Sequence, residues 1–108
     1  MRYPPGDVLS VAPKGAGEAL VRAVAREEGR HGVRANSVAV GVVDGGMFPG
    51  LVERGELSQE WIDTAKKNTP LRRFGTPQEV AAAVVFLSSA AGSYVSGQSL
   101  RVDGGYAL

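Results

Sequence analysis

The stretch that decides the fold is VRANSVAVGVVD, residues 33–44, and it is preceded by KGAGEAL, residues 14–20. Residues 33–40 are rich in Val and Ala, without alternation of apolar and polar side chains. Such a run is typical of a strand buried on both faces, as in a parallel sheet covered by helices. Asn36, on this strand, is predicted to bridge other groups by hydrogen bonds, since a buried amide needs partners. Residues 41–57 are glycine-rich and predict a loop.

The stretch KGAGEAL opens a predicted helix over residues 14–30. An apolar stripe follows the helical period at Ala16, Ala19, Leu20, Ala23 and Val24. Pro13 suits a first helical turn, and Gly29 and Gly32 are typical of a helix end. Gly15 and Gly17 are predicted to allow close packing of this helix against another element.

Two further helices and a second strand are predicted downstream. Ser58 is a suitable cap for a short helix that contains Trp61. Thr76 and Glu79 have the spacing of a capping box, which begins another helix. Residues 99–102 predict the last strand. The order helix, strand, helix, helix, strand predicts an α/β fold in which helical crossovers join parallel strands. Because two strands alone leave open edges, we expect the sheet to require a partner or further strands.

Composition excludes several classes of function. The chain has 108 residues, a net charge of +1 and 44% hydrophobic residues, which suits one globular domain. Acidic and basic residues are interspersed, so a nucleic-acid partner is not expected. There is no Cys, which excludes disulfides and Cys-ligated metals, and no metal site is expected. Without a long apolar run or a signal-peptide pattern, the predicted location is the cytoplasm.

Three stretches together resemble the short-chain dehydrogenase/reductase family of NAD(P)-dependent oxidoreductases. They are the Lys14 helix, the strand and loop over 33–44, and the pair LRRFGTPQEV, residues 71–80, with SYVSGQSLRVDGG, residues 93–105. The resemblance implies an α/β fold with a truncated Rossmann-type parallel sheet and flanking helices, the C-terminal part of the family fold. We expect an irregular N-terminal segment over 1–13 and the α/β fragment over 14–108.

The resemblance also implies the site residues. Lys14 matches the family's catalytic Lys, and Ser10 occupies the position of its Tyr partner. Lys14, Gly41 and Val43 match positions that contact NAD or NADP, and Gly45 replaces a family Thr. We expect no pyrophosphate cradle before Lys14 in this chain, and the family's catalytic Ser is expected well upstream of the Tyr position, before residue 1. This chain alone is therefore expected to bind nucleotide poorly and to be catalytically inactive.

Two alternatives remain open for the surfaces around this site. Met47, Phe48 and Trp61 are the candidate substrate-loop residues. Phe48, Leu51, Leu57 and Trp61 surround the loop that covers substrate in the family, or they form the core of a short helix. The alternative to an oxidoreductase is a non-catalytic module that forms a homo-oligomer or binds a homologous chain. Its predicted contact residues are Ala16, Leu20, Val24, Val84, Leu87, Leu100 and Val102.

Overall fold

The computed structural model describes residues 8–45, 53–55 and 58–108, with only the backbone of residues 8–11. Met47 and Phe48 lie outside the described residues. Among those described, helices and strands follow the predicted order: helix α1 (Val8–Glu28), strand β1 (Ser37–Val40), helices α2 (Gln59–Lys67) and α3 (Pro77–Ser88), and strand β2 (Ser99–Val102). Short 3₁₀ turns follow α1 at Gly29–His31 and α3 at Ala90–Gly92.

Helix α1 begins six residues earlier than its sequence pattern predicts. It starts at Val8, and Pro13 lies inside it rather than in its first turn. The prediction that residues up to 13 are irregular is therefore wrong for residues 8–13. Proline is disfavoured inside a helix because it lacks an N–H, but the loss is one intrahelical hydrogen bond and the helix continues through it. The predicted end is confirmed: Gly32 adopts a left-handed φ of 78° and donates its N–H to the Gly29 carbonyl at 3.0 Å.

The two strands are parallel. Ser37 donates its N–H to the Gln98 carbonyl at 2.8 Å, and Gly41 donates to the Val102 carbonyl at 3.1 Å, so pairing advances in the same direction along both strands. Strand β1 is only half-buried, and Val40 is exposed. The prediction of burial on both faces is therefore wrong for the described residues, because the apolar faces of β1 are only partly covered there.

Helices α2 and α3 begin at the predicted caps. The Ser58 hydroxyl accepts the Trp61 N–H at 3.1 Å, and the Thr76 hydroxyl accepts the Glu79 N–H at 3.2 Å. Each bond satisfies an N–H that has no partner within its own helix. Both starts could be predicted because a cap depends on residues only three positions apart.

The described residues form two compact units. The first comprises the described residues up to Val38 together with Val84–Leu100, and the second comprises Ala39–Ala83 together with Arg101–Leu108. In the first unit Leu87 is buried. In the second unit the core consists of Ile62, Ala65 and Phe74, with Val42 packed against it.

Candidate functional site

Lys14 lies in α1 and its side chain is exposed. Because α1 begins at Val8, Lys14 lies beyond the first turn, where the helix dipole disfavours a cation most. Positions 10 and 14 are one turn apart in the same helix, which is the spacing that the family's Tyr–Lys pair requires. Within the described residues, Gly15 and Gly17 mediate no close packing, because a Cβ added at either position meets no described atom within 4 Å. The prediction of close packing is therefore wrong for the described residues.

Gly41 lies where β1 runs into the loop of residues 41–45, which we call the Val43 loop. A Cβ placed on Gly41 would lie 2.8 Å from both the Cα and the Cβ of Asp103. Side chains essentially never approach backbone this closely. The close approach of two chain segments therefore accounts for glycine at this position.

Val43 forms an isolated parallel bridge with Gly75. Gly75 donates its N–H to the Val42 carbonyl at 3.0 Å, and its carbonyl accepts the Asp44 N–H at 2.9 Å. Within the described part of the chain, no hydrogen bond uses the N–H or the carbonyl of Val43 itself. One backbone donor and one backbone acceptor are thus available at the same residue.

Gly45, the residue in place of the family Thr, lies against the first turn of α3. A Cβ on Gly45 would lie 2.5 Å from Cγ of Pro77. A threonine could not occupy position 45 without moving Pro77 or the loop. Glycine in place of the family Thr therefore allows the Val43 loop to pack closely against α3.

Glu79, in the same first turn, accepts from several donors. Both terminal nitrogens of Arg73 donate to its two oxygens at 2.8 Å, and the Thr76 N–H donates to Oε1 at 3.0 Å. Arg73 Nη1 also donates to the Phe74 carbonyl at 3.1 Å. The Arg73 hydrogen bonds, followed by the Thr76 N–H, lower the pKa of Glu79 to about 2. The capping box was predicted, but Arg73 was not; its only signal is a basic residue six positions before Glu79.

Trp61 is the only predicted substrate-loop residue that the structure describes. It lies in α2 and is 43% exposed. Two open cavities, of about 570 Å³ in the first unit and about 430 Å³ in the second, are lined by other residues than Trp61 and Val43. Across residues 8–45, 53–55 and 58–108, no three His, Asp or Glu side chains gather to hold a metal ion.

Asn36 forms the predicted bridge within the first unit. Its Nδ2 donates to the Val95 carbonyl at 2.9 Å, and its Oδ1 accepts the Gln98 N–H at 3.0 Å. Arg34 Nη1 reaches the same Val95 carbonyl at 3.0 Å. Asn36 therefore anchors the segment that leads into β2. Lys14 belongs to this first unit, whereas Gly41, Val43 and Trp61 belong to the second.

Comparison with known proteins agrees with this architecture. A family model described as Enoyl-(Acyl carrier protein) reductase matches residues 2–107. Galactitol 2-dehydrogenase (L-tagatose-forming) of Cereibacter sphaeroides is 47% identical over 98 residues, which are 91% of this chain and 37% of that protein. The 3-oxoacyl-(acyl-carrier-protein) reductase FabG of Chlamydia muridarum is 39% identical over 107 residues, 99% of this chain and 41% of that protein.

A solved structure gives the same result. Gluconate 5-dehydrogenase from Burkholderia cenocepacia, in complex with NADP and tartrate, is similar with a TM-score of 0.78 and 35% identity, over 89% of this chain and 36% of that chain. The chain belongs to the short-chain dehydrogenase/reductase family and has part of its Rossmann-type α/β fold. It spans about two fifths of the length of the curated relatives it matches. None of the helices among its described residues is long and apolar enough to cross a membrane.

Proposed function

We propose that this chain provides the nicotinamide end of a cytoplasmic NAD(P)-dependent oxidoreductase that acts on a small carbonyl compound or alcohol. The observation that supports it best is the backbone of Val43, whose N–H and carbonyl have no partner among the described residues. A carboxamide presents one acceptor and two donors, so this pair fits the amide of nicotinamide. When bound, nicotinamide gives or accepts the hydride.

Lys14, in the first unit, is proposed separately from the Val43 contact as a residue that binds the cofactor. Its exposed ammonium is free to donate to hydroxyl groups of a ribose, and it would lower the pKa of a neighbouring acid. Gly41 keeps the start of the Val43 loop close to Asp103, so its proposed role toward the cofactor is indirect. Trp61, together with Met47 and Phe48, is proposed to line the substrate side.

Ser10 is the position that limits the chemistry of this chain. A serine hydroxyl is a far weaker acid than a phenol, whose pKa is about 10 in water. With serine there, we propose that this chain by itself does not protonate a substrate oxygen and transfers no hydride. Ser10→Tyr would restore the family's Tyr–Lys spacing on α1.

Nuclear magnetic resonance with a matched pair of variants tests the nicotinamide contact. NADH at concentrations high enough to load a weak site should shift the amide signals of Val43 and its neighbours. Val43→Pro removes the N–H and should abolish the shifts, whereas Val43→Ala keeps both backbone groups and should retain them. Shifts that survive in Val43→Pro, or that are absent from the parent chain, would refute this proposal.

The second candidate is the interaction module, and exposed apolar side chains favour it. Leu20 is 64% exposed, and Val84 and Leu100 are also exposed. Helix α3 also exposes Val85 and Phe86, and it has no charged residue after Glu79. A helix that is apolar on all sides is normally buried, so the exposed side of α3 is suited to contact another chain. Leu87 is buried, so it does not belong to this surface as predicted.

Native mass spectrometry of two variants tests this second candidate. Val85→Glu places a charge on the exposed side of α3 and should convert an oligomer into a monomer. Tyr94→Glu changes a fully exposed aromatic residue outside α3 and should leave the oligomer unchanged. A parent chain that is monomeric at high concentration would rule out the homo-oligomer and leave only binding to a homologous chain.

A further inference from the structure

The structure points to Glu79 as a positioning residue for the Val43 loop, acting through Arg73, Thr76 and Gly75. This inference rests on the proposed nicotinamide contact of Val43. All of the residues concerned belong to the second unit. Glu79 is known from its sequence pattern only as a helix cap, so control of the loop is a separate role.

The first step concerns what holds the Val43 loop. Beyond the Gly41 N–H bond to Val102, the backbone hydrogen bonds of this loop within the described residues are the two made with Gly75. Those bonds engage the Val42 carbonyl and the Asp44 N–H, on either side of Val43. They turn the N–H and carbonyl of Val43 away from Gly75, because neighbouring residues of an extended segment point their polar groups to opposite sides. The position of Gly75 therefore decides where Val43 presents its polar groups.

The second step concerns what holds Gly75. The Phe74 carbonyl, just before it, accepts from Arg73 Nη1, and Arg73 is held by both Glu79 oxygens. The Thr76 N–H and hydroxyl, just after it, donate to Glu79 Oε1 at 3.0 and 3.3 Å. One carboxylate thus restrains the chain on both sides of Gly75. Because Glu79 is part of α3, the restraint is anchored to a helix.

The third step separates positioning from stability. The Arg73 and Glu79 side chains are 53% and 43% exposed, and ion pairs this exposed contribute little to folding. A cap needs only one acceptor, which glutamine also provides. The bidentate pair with Arg73 exceeds what the cap requires, and its added effect is to fix the backbone that pairs with the Val43 loop.

Amide hydrogen exchange of the whole chain without nucleotide provides the test. Glu79→Gln keeps an acceptor for the Thr76 N–H but loses the bidentate contact with Arg73. It should accelerate exchange of the Asp44 and Gly75 amides about tenfold, the change expected for one charge-assisted hydrogen bond. The Ser37 amide, in the sheet ladder, should keep its rate. Glu60→Gln makes the same charge change in the first turn of α2 and should alter none of these rates.

Two outcomes would overturn the positioning role. If Glu79→Gln accelerates all protected amides equally, Glu79 only stabilises the fold; if it accelerates none, the contact with Arg73 does not restrain the loop. Arg73→Lys, which keeps the charge but not the paired geometry, is a second variant and should behave as Glu79→Gln does.

Addition of NADH separates this inference from the proposed function. Shifts at Val43 that weaken in Glu79→Gln and persist in Glu60→Gln support both. Equal shifts in the parent chain and in Glu79→Gln overturn the positioning role and leave the nicotinamide contact intact. If NADH shifts no signal in any chain, the proposed function fails, and exchange without nucleotide still decides whether Glu79 holds the loop.

Discussion

Two regions that contain glycines carry much of the family resemblance, but the surroundings of their glycines differ: one region is closely packed and the other is open. At Gly41 and Gly45 in the Val43 loop, an added Cβ would approach Asp103 or Pro77 to less than 3.0 Å. At Gly15 and Gly17 in α1, an added Cβ meets no described atom. The difference teaches that a family pattern can mark a contact that this chain itself makes, or a surface that its described residues leave uncovered.

The largest effect is expected for Gly41→Ala, which tests the loop side of this comparison. The new methyl group would collide with the Asp103 backbone, which cannot move without disturbing β2. We expect a loss of about 3 kcal/mol in the free energy of unfolding, at the upper end for overpacking. Urea unfolding followed by circular dichroism measures it. A loss below the experimental error would mean that the two segments do not approach as described.

Gly45→Thr, which restores the family residue, should have the next largest effect. Its Cβ collides with the Pro77 ring rather than with backbone, so we expect a smaller loss of about 2 kcal/mol. Pro77→Ala removes the colliding Cγ, so Gly45→Thr should cost less in that background. Equal costs in both backgrounds, measured as a double-mutant cycle, would show that the two residues do not interact.

Gly15→Ala should act in the opposite direction and sharpen the comparison from the α1 side. Alanine has the higher helix propensity and nothing described obstructs its methyl group. We expect a gain of about 0.5–1 kcal/mol in the free energy of unfolding. Thermal unfolding measures it, with Gly17→Ala as a second case. A loss of stability would show that α1 is closely packed at Gly15, for instance in an oligomer.

A smaller gain is expected for Arg72→Gly in the connector that leads to Gly75. Arg72 has a φ of 59°, a left-handed conformation that costs an L-residue about 1–2 kcal/mol. Glycine relieves this strain but gives the unfolded chain more freedom, so the expected net gain is about 0.5 kcal/mol. Chemical unfolding of Arg72→Gly beside Arg72→Ala measures it, and alanine, which keeps the strain, should show no gain.

The smallest effect is a dependence of stability on pH that arises in the loop region. The pKa of Glu79 is about 2 in the folded chain, whereas an unperturbed glutamate has a pKa of 4.5. The ionised Glu79 side chain therefore stabilises the fold fully above pH 4.5. This stabilisation is lost as the pH falls from 4.5 towards 2, because the unfolded chain then binds the proton more readily. Unfolding midpoints across this range should fall less steeply in Glu79→Gln than in the parent chain. Identical slopes would contradict the low pKa.

Local signals predicted local structure well. Ser58 and the pair Thr76 and Glu79 marked true helix starts, since each cap involves neighbours three residues apart. The presence of Pro13 led to a wrong prediction of the start of α1, because proline is disfavoured inside a helix but not excluded from it. The partners of Asn36 could be expected in kind, but Val95 and Gln98 could not be named, since they lie about sixty residues away.

The sequence by itself determined the family, the order of elements and the parallel sheet, because these follow from residue patterns within short stretches. It also located Lys14, Gly41 and Val43 as candidate site residues. Only the tertiary structure decided how Gly41 meets Asp103, how Gly75 pairs beside Val43 and how Arg73 joins Glu79. Those relations depend on distances between chain segments, and a linear pattern does not specify distances through space.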